Sequence, residues 1–462
     1  MRKKPLLYVL TLGCPKNQVD SRQVIGMLKE EGYDFTDLPQ AAEIIILNTC
    51  GFVDEAKEES IRAILDLAQY KKTGCCRFLA VMGCLVQKYG DELVGAIPEV
   101  DCFLGLADYP ALLPLLREVI PGKAAKRLET KGLMDNRLVV SPPENLCFTH
   151  RWTYVDVEAP AGYVKIAEGC DHHCTFCAIP QIRGKYRSRR PEEILAEVKT
   201  RVAKGLREAI LIAQDTGCYG LDLLPQTDLA ALIAMLCALQ DLQRIRIMYC
   251  YPEGVNPRLL AAMAHPKVCA YLDMPIQHID DGLLRKMARP ISSEKLRQVI
   301  CALREIPGMV IRSTMMVGFP GETPEAFSAM LAFLEEVRLE RVGFFAFSPQ
   351  PGTAAAAYGQ QVPEEEKERR LELAQSVQSR ILKEKEGELV GTTIHVLVEE
   401  ETEKQGEMWQ YEGRSFRDAP EIDSMVAFGA RKPVAIGEIV PVTVTHSQDF
   451  MILGEMADEP GK

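Results

Sequence analysis

The stretch EGCDHHCTFC at residues 168–177 sets Cys170, Cys174 and Cys177 at a C-x3-C-x2-C spacing, with no fourth cysteine close behind. Thiolates at this spacing in a tight loop can ligate a 4Fe–4S cluster and leave one iron open to a substrate or cofactor. A structural zinc site would need four ligands and a second cysteine knuckle, and three core cysteines that happen to be close are the remaining alternative. The spacing of these loop cysteines therefore predicts a catalytic iron–sulfur site.

The composition indicates a multidomain protein of a reducing compartment. The chain has 462 residues, of which 47% are hydrophobic, and this length suggests two to four domains. Its 15 cysteines are an odd number and cannot all pair, so they are expected to be metal ligands or core thiols of a cytoplasmic protein. No apolar run approaches the roughly 20 residues that a membrane-spanning helix needs, so no membrane partner is expected.

The first residues allow two interpretations. Three cations at residues 2–4, an apolar stretch at 6–13 and then Cys14 resemble a short lipoprotein signal. The apolar stretch is only about eight residues long and also fits a first β-strand, which would leave Cys14 for a metal site. The second interpretation is favoured by the pattern that follows.

Three cysteines of the N-terminal part occupy the same place in a repeated pattern. Strands are predicted at 6–12, 43–48 and 77–82 with helices at 17–31 and 54–70, so residues 1–120 should form an open parallel α/β sheet domain. Each strand is followed by one of the strand-end cysteines, Cys14, Cys50 and Cys84. Because the carboxyl ends of parallel strands share one edge, these cysteines should converge as a second thiolate set, with core or loop cysteines as the alternative.

A second β/α series follows an irregular connector at residues 121–160. Six strands are predicted near 163–167, 208–213, 244–249, 269–274, 309–316 and 341–347. With helices between them, residues 161–386 should form a partial (βα)6 barrel of the TIM-like kind, with the loop cysteines at its C-terminal face. A charged run at 363–388 predicts a long exposed helix that closes the barrel.

Residues 387–462 differ from the rest of the chain in pattern and in charge. Alternating β-branched segments at 392–398 and 434–445 predict a small antiparallel β-barrel. These residues include 15 acidic and 6 basic side chains, a net of −9, so of the total of −11 only −2 belongs to residues 1–386. An acidic barrel should repel RNA and attract a basic protein, unless the charges are only a solvated face.

Motifs along essentially the whole chain resemble those of the radical-SAM methylthiotransferases. The motifs similar to the N-terminal domain of that family are LGCPKN at 12–17, NTC at 48–50 and GC at 83–84. The motifs similar to its radical-SAM segment are the cysteine loop, RG at 183–184, RSR at 187–189, YLDMPIQH at 271–278 and VGFPGET at 317–323. The C-terminal barrel resembles the TRAM domain of the same family.

The resemblance implies two 4Fe–4S clusters and S-adenosylmethionine (SAM) as cofactors. The loop cysteines would hold the cluster that cleaves SAM reductively, and the radical formed would take a hydrogen from the substrate carbon. The strand-end cysteines would hold a second cluster that presents a sulfur methylated by a second SAM. Such a reaction suits a C–H bond beside a carboxylate, which is inert to acid–base chemistry at neutral pH.

Further SAM contacts are expected from residues beside the loop cysteines or at strand ends. Phe176 could touch the adenine, and Gln214 and Arg312 could reach polar groups of SAM, with barrel support as the alternative. The turn formed by Gly318, Phe319, Pro320 and Gly321 could let backbone approach the cofactor. By contrast, His172 and His173 are expected to face solvent in the cysteine loop.

Two branches of this family differ in substrate, one modifying adenosine in transfer RNA and the other an aspartate of small-subunit ribosomal protein twelve. The segment GRSFRDAPEID at 413–423 resembles the second branch, which implies Asp418, Glu421 and Asp423 as recognition residues for a basic protein. The expected reaction adds a methylthio group to the β-carbon of that aspartate. It needs an electron donor such as flavodoxin or ferredoxin, and the sulfur source stays open.

Two competing hypotheses remain at this point. The first is a transfer RNA methylthiotransferase, for which the basic run at 183–190 could bind nucleic acid, although its place beside the cysteine loop favours a role at the barrel mouth. The second is a non-catalytic iron–sulfur scaffold or electron carrier. Carriers close their clusters with four ligands, so two sets of three cysteines argue against it.

Overall fold

Three sheets carry the fold of this protein in the computed structural model, which describes residues 5–119, 137–146, 159–404, 406, 408–448 and 451–457. Within these ranges no helix is both long enough and apolar enough to cross a membrane. Most of the connector predicted at 121–160 lies outside the described residues.

The N-terminal domain is an open sheet of six parallel strands. Its elements are β1 (Leu6–Thr11), α1 (Pro15–Glu30), β2 (Asp34–Phe35), β3 (Ile44–Thr49), α2 (Asp54–Ala68), α3 (Tyr70–Thr73), β4 (Phe78–Gly83), α4 (Cys84–Ala96), β5 (Cys102–Leu104), α5 (Leu112–Val119) and β6 (Leu138–Val139). The strand order is β2-β1-β3-β4-β5-β6. Alternate residues of β3 enter apolar clusters on opposite faces, as expected of a parallel strand covered on both sides.

The central domain is the predicted partial barrel. Its elements are β7 (Ala161–Lys165), β8 (Ala167–Glu168), α6 (Ile179–Arg183), β9 (Arg187–Ser188), α7 (Pro191–Val202), β10 (Glu208–Ile212), α8 (Leu229–Cys237), β11 (Arg244–Ile247), α9 (Pro257–Met263), β12 (Val268–Asp273), α10 (Asp281–Lys286), α11 (Ser293–Arg304), β13 (Val310–Val317), α12 (Pro324–Val337), β14 (Arg341–Ala346) and α13 (Glu364–Gly387). Six parallel strands pair in the order β14-β13-β12-β11-β10-β7, with β7 and β14 at open edges. The six predicted strands are confirmed within two residues at each end.

The charged helix α13 is less exposed than its sequence predicts. Ala374 and Ile381 are fully buried against the barrel, and the buried Gln378 donates to the carbonyl oxygens of Leu339 and Glu340. Composition does not reveal this face, because it includes the charged residues Lys367, Arg370 and Glu386, which are buried together with the small and apolar ones.

The C-terminal domain is a closed five-stranded barrel. Its strands are β15 (Thr393–Glu401), β16 (Trp409–Ser415), β17 (Met425–Ala430), β18 (Ile439–Gln448) and β19 (Met451–Met456). They close in the order β15-β16-β17-β19-β18. Pairing is antiparallel except between β17 and β19, which run parallel, so the predicted antiparallel barrel contains one parallel pair.

All three domains meet at the lumen of the partial barrel. Val19 of α1 and Ala419, just after β16, pack in one apolar cluster with inward residues of the central strands such as Ile210 and Tyr271. The lumen is therefore lined by the central strands and covered by parts of the other two domains, so a site at the strand ends is built jointly.

Candidate active site

The strand-end cysteines converge at the carboxyl edge of the N-terminal sheet. Cys14 precedes α1, Cys50 follows β3, and Cys84 begins α4. Asn17 links the three loops, because its side-chain amide donates to the carbonyl oxygens of Leu12 (2.9 Å) and Thr49 (3.0 Å) while its Oδ1 lies 3.6 Å from Cys84 Sγ. The edge predicted from the strand pattern therefore brings the three thiols into one set.

Glycine allows this close approach at Gly13 and Gly83. Gly13 has a φ of +89°, and a Cβ there would lie 3.0 Å from the sulfur of Cys50. Gly83 has a φ of +108°, and a Cβ there would lie 2.3 Å from the side-chain oxygen of Asn48. A positive φ and missing space both exclude other residues, so the two glycines are required by the thiol set.

The loop cysteines form a second set above the central barrel. The amide of Cys170 donates to Gly184 O (3.1 Å), and the amide of Cys177 donates to Cys174 O (3.0 Å). Thr175, within the loop, donates through its amide to Met287 O (3.1 Å). The loop is thus folded on itself and fastened to the end of α10, at the C-terminal face predicted for it.

Both sets have the chemistry of metal ligands rather than of reactive thiols. Burial raises the pKa values of Cys84, Cys170 and Cys177 to about 12, so these thiols hold their protons at neutral pH until a metal replaces them. Each set has two buried cysteines and one half-buried cysteine, Cys14 or Cys177, and three such sulfurs suit iron, a soft-ligand metal in its clusters. The residues present therefore fit a cluster at each set.

Each set has one buried arginine within reach of a sulfur. Arg183 Nη2 lies 3.4 Å from Cys84 Sγ, and Arg289 Nη1 lies 3.8 Å from Cys174 Sγ. A guanidinium beside a sulfur favours the thiolate. Arg289 is not predicted from the sequence, in which only its position after α10 distinguishes it. Its Nε is buried without a hydrogen-bond partner.

A buried ion network joins α1 of the N-terminal domain to the central barrel. Arg183 pairs with Glu168 (2.8 Å) and Asp20 (3.2 Å), and Lys165 pairs with Glu168 (2.6 Å) and with Asp20. Burial alone would raise the pKa of Glu168, but Arg183 and Lys165 outweigh it and hold that pKa well below its usual range. The N-terminal domain is therefore tied to the two ends of the cysteine loop through four charged side chains.

The residues predicted to contact SAM have different surroundings. Gln214 donates to Glu168 Oε1 (2.8 Å) and leaves its own Oε1 buried without a partner, which fits a donor from a bound group. Arg312 pairs with Asp273 (2.9 Å) and keeps 19% of its side chain exposed. Phe176 is half-buried, with its ring 6.4 Å from that of Phe319. These three stay predictions.

The turn at residues 318–321 is packed against lysine side chains, and the approach of its backbone to a cofactor stays a prediction. The ring of Phe319 is fully buried. A Cβ on Gly318 would lie 2.4 Å from Lys367, and one on Gly321 would lie 2.5 Å from Lys286 Nζ. The neighbouring Pro320 belongs to the same buried turn. The glycines make room for lysine side chains.

The expectation that His172 faces solvent is wrong. Its Nε2 lies 2.7 Å from Asp215 Oδ2, and its ring packs edge-on against Tyr251. Cys218 donates to the same carboxylate oxygen at 3.1 Å. His173 is exposed as expected. Asp215 follows β10 by three positions, and no local pattern reveals that a loop histidine would reach it.

Two of the three acidic residues predicted to recognise a substrate are structural. Asp418 is fully buried and pairs with Arg341 of β14 (2.6 Å). The side chain of Asp423 is 1% exposed and accepts a hydrogen bond from the hydroxyl of Tyr271 (2.6 Å). Only Glu421 is exposed, and it binds Gln18 of α1. The segment 413–423 therefore joins the C-terminal barrel to the central one, because its charges are neutralised there.

Three protein families match the three domains. Residues 6–105 match the uncharacterized protein family UPF0004, residues 164–334 the radical SAM superfamily and residues 390–457 the TRAM domain. Among solved structures, the radical S-adenosylmethionine methyltransferase TsrM from Kitasatospora setae has a TM-score of 0.54 at 16% identity and covers 76% of this chain and 77% of its own. At this identity the likeness shows the fold alone.

Curated relatives are similar along the whole chain. A protein of Heliobacterium modesticaldum (strain ATCC 51547 / Ice1) named ribosomal protein uS12 methylthiotransferase RimO is 44% identical over 99% of this chain and 96% of its own length. Proteins with the same name are 43% identical in Desulforamulus reducens, over 98% of this chain and 100% of theirs, and 41% identical in Clostridium botulinum strain Hall, over 100% of both.

Proposed function

Because this chain belongs to the RimO family of ribosomal protein uS12 methylthiotransferases, we propose that it adds a methylthio group to the β-carbon of an aspartate in that ribosomal protein. The observation that carries the proposal is the contact of Arg183, which follows the loop cysteines in sequence, with Cys84 of the strand-end set. A cluster held by each cysteine set could therefore act on the same substrate carbon in one reaction.

The strand-end cysteines would hold one 4Fe–4S cluster, and the loop cysteines would hold the other. When bound, the clusters and SAM supply the radical that breaks an inert C–H bond, together with the sulfur and methyl group that replace the hydrogen. The protein contributes position and charge. Arg183 and Arg289 favour the thiolate state of the ligands, and the side chains that meet in the lumen keep water from its interior.

Recruitment of the ribosomal protein is assigned to the exposed acids of the C-terminal barrel. Glu400 and Glu412 lie directly opposite each other on β15 and β16, and Glu401 and Glu403 continue the exposed acidic strip. Like charges opposite each other destabilise a sheet, so a basic partner would relieve a cost that the free barrel carries. Opposite charge also steers the encounter with a basic protein. The electron donor would be a flavodoxin or ferredoxin that reaches the loop cysteines.

Transfer RNA is the rival substrate, and the basic run at 183–190 does not favour it. Arg183 is 2% exposed, Arg187 donates to Pro143 O (3.0 Å), and Arg189 pairs with Glu197 (2.7 Å). Only Lys185 and Arg190 of the run are exposed. Binding to RNA rests on many phosphate contacts, which two exposed cations do not supply.

The proposed function is tested with full-length protein reconstituted without oxygen. It should contain about eight irons per chain, and about four after the loop cysteines are replaced together by alanine. Incubated with SAM, a reductant, a sulfide source and either ribosomal protein uS12 or transfer RNA, it should modify only the protein. Mass spectrometry should locate one methylthio group on an aspartate. Modification of transfer RNA alone would favour the transfer RNA methylthiotransferase. An iron content near four per chain in the intact protein would show that it holds only one cluster.

A further inference from the structure

Among the buried lysines and arginines that the structure describes, Lys16 is the one without an ion pair or a hydrogen bond; the half-buried Lys88 also has a buried Nζ without a hydrogen-bond partner. Ten lysines and arginines there are buried. Nine make an ion pair or donate to a carbonyl oxygen, namely Lys165, Arg183, Arg201, Arg244, Arg246, Arg289, Lys367, Arg370 and Arg414. Lys16 is 6% exposed, and its ammonium makes only a cation–π contact, 2.9 Å from the centre of the Tyr249 ring.

Burial of an ammonium group in such a position lowers the stability of the fold, so it needs an explanation. An ammonium taken out of water without a counter-charge destabilises the fold by several kcal/mol in typical cases. Cation–π contact with a tyrosine offsets only part of this, typically about 2 kcal/mol. A partner that is absent from the chain itself would account for the remainder.

The position of Lys16 places that partner between the two cysteine sets. Lys16 lies two positions after Cys14, in the first turn of α1. Tyr249 follows β11 at the carboxyl end of the central barrel, and its backbone is in the left-handed region with a φ of 58°. A non-glycine residue in this region is strained, and such strain is typical of functional sites. The ammonium is therefore held over the end of the lumen.

The carboxylates nearest this point are paired with cations other than Lys16. Lys165 and Arg183 are matched by Asp20 and Glu168, and Arg312 is matched by Asp273. Lys16 has no carboxylate of the described chain paired with it, so a carboxylate brought by a ligand could pair with its ammonium. Arg312 keeps 19% of its side chain exposed, so the end of the lumen is accessible.

We propose that Lys16 binds the side-chain carboxylate of the substrate aspartate, with the ring of Tyr249 supporting the ammonium from the other side. This assignment rests on the proposed function. The carbon to be modified is bonded directly to the carboxylate carbon. Binding of that carboxylate by a residue next to Cys14 would hold the carbon beside the strand-end cysteines while the loop cysteines face it from the barrel. Lys16 would also make the enzyme select aspartate over the isosteric asparagine.

The test is a cycle of enzyme and substrate changes in the reconstituted full-length protein. The enzymes are the wild type, Lys16→Met, Lys16→Arg and the control Lys29→Met, which removes an exposed lysine from the same helix. The substrates are ribosomal protein uS12 with its target aspartate and the same protein with asparagine there. Where the asparagine protein reacts too slowly, its inhibition constant against the aspartate protein gives the binding part of the preference.

The wild type should prefer aspartate by about 10- to 100-fold in kcat/KM, because a hydrogen bond between charged groups is worth that much. Lys16→Met should lose this preference through a slower reaction of aspartate, whereas Lys29→Met should keep it and Lys16→Arg should keep part of it. SAM cleavage in the absence of substrate should match the wild type in the control Lys29→Met. Lys16→Met should also raise the melting temperature, since it removes an unpaired buried charge.

The outcomes separate the two proposals. An equal loss on both substrates in Lys16→Met, or an unchanged preference for aspartate, would overturn the role of Lys16 and leave the proposed function standing. A fall in melting temperature would show a structural role instead. A wild type that modifies neither version of uS12 overturns the proposed function, and the assignment of Lys16 with it.

Discussion

Replacement of Glu208 by glutamine should loosen the joint between the central and C-terminal barrels. Glu208 is fully buried at the start of β10, 2.6 Å from Arg246 Nε and 3.3 Å from Arg414 Nη2. Arg414 belongs to β16 of the C-terminal barrel, so this carboxylate bridges two domains. Glutamine keeps the shape and removes the charge, which leaves two buried guanidinium groups with less compensation.

The pKa of Glu208 gives the size of the effect. Burial alone would raise this pKa, but Arg246, Arg414 and Arg244 outweigh burial and hold the pKa at about 2, against an ordinary value of 4.5. At about 1.4 kcal/mol per pKa unit, the difference corresponds to roughly 3 kcal/mol of stability. Because the folded-state pKa is the lower one, this stability is present above pH 4.5 and is lost as the pH falls towards 2.

Anaerobic equilibrium unfolding of the full chain from pH 7 to pH 3 measures both quantities. Glu208→Gln should reduce the free energy of unfolding by about 3 to 5 kcal/mol at pH 7, the usual cost of removing one partner from a buried pair. The gap from the wild type should narrow below pH 4.5. Glu400→Gln, at an exposed position of the C-terminal barrel, is the control and should change stability by less than about 0.5 kcal/mol. A loss in Glu208→Gln no larger than in the control would refute the assigned role of this joint.

Three further outcomes follow from the site and its surroundings. Alanine at any strand-end cysteine should stop methylthio transfer while SAM cleavage to deoxyadenosine continues; methylthiolated product from the triple variant would exclude this set from the reaction. Replacement of Glu400, Glu401 and Glu403 by lysine should weaken binding of uS12, and the loss should shrink with added salt because screening shortens to roughly 8 Å at physiological ionic strength; tighter binding measured across a salt series would contradict the acidic docking surface. Arg289→Met should make the reduction potential of the loop-cysteine cluster more negative, on the order of 100 mV, since one buried positive charge beside a sulfur is lost; an unchanged potential in an EPR-monitored titration would show that the arginine serves packing.

The strands and the two cysteine sets could be predicted because their signals are local or repeated. The three apolar strands before Cys14, Cys50 and Cys84 have a common edge by the geometry of any parallel sheet. The C-x3-C-x2-C spacing needs no information from elsewhere in the chain. Predictions of this kind depend only on residues that are close to one another in the sequence.

The roles of charged side chains could not be predicted, because they depend on partners far away in sequence. By composition alone, Asp418 is one more acid of an acidic domain, yet its partner Arg341 lies 77 residues earlier in the chain. The aspartate also leaves solvent only when the two barrels meet. The same applies to His172, which reaches Asp215 only because the cysteine loop folds back over β10. The net charge of the barrel does not tell which acids lie at the surface, since buried acids such as Asp418 count in the sum and do not act there.

This distinction explains how one small domain can serve both attachment and recognition. The acids that face the central barrel, Asp418 and Asp423, are neutralised by Arg341 and cannot attract a partner. The acids on β15, Glu400 and Glu401, have no ion pair in the described chain and keep their charge in solvent. The acids that attach the C-terminal barrel to the central barrel are therefore neutralised, whereas the acids on β15 can act on a partner at longer range. Lysine substitutions at 418 and 423 would test only folding, so recognition has to be tested on the outer strand.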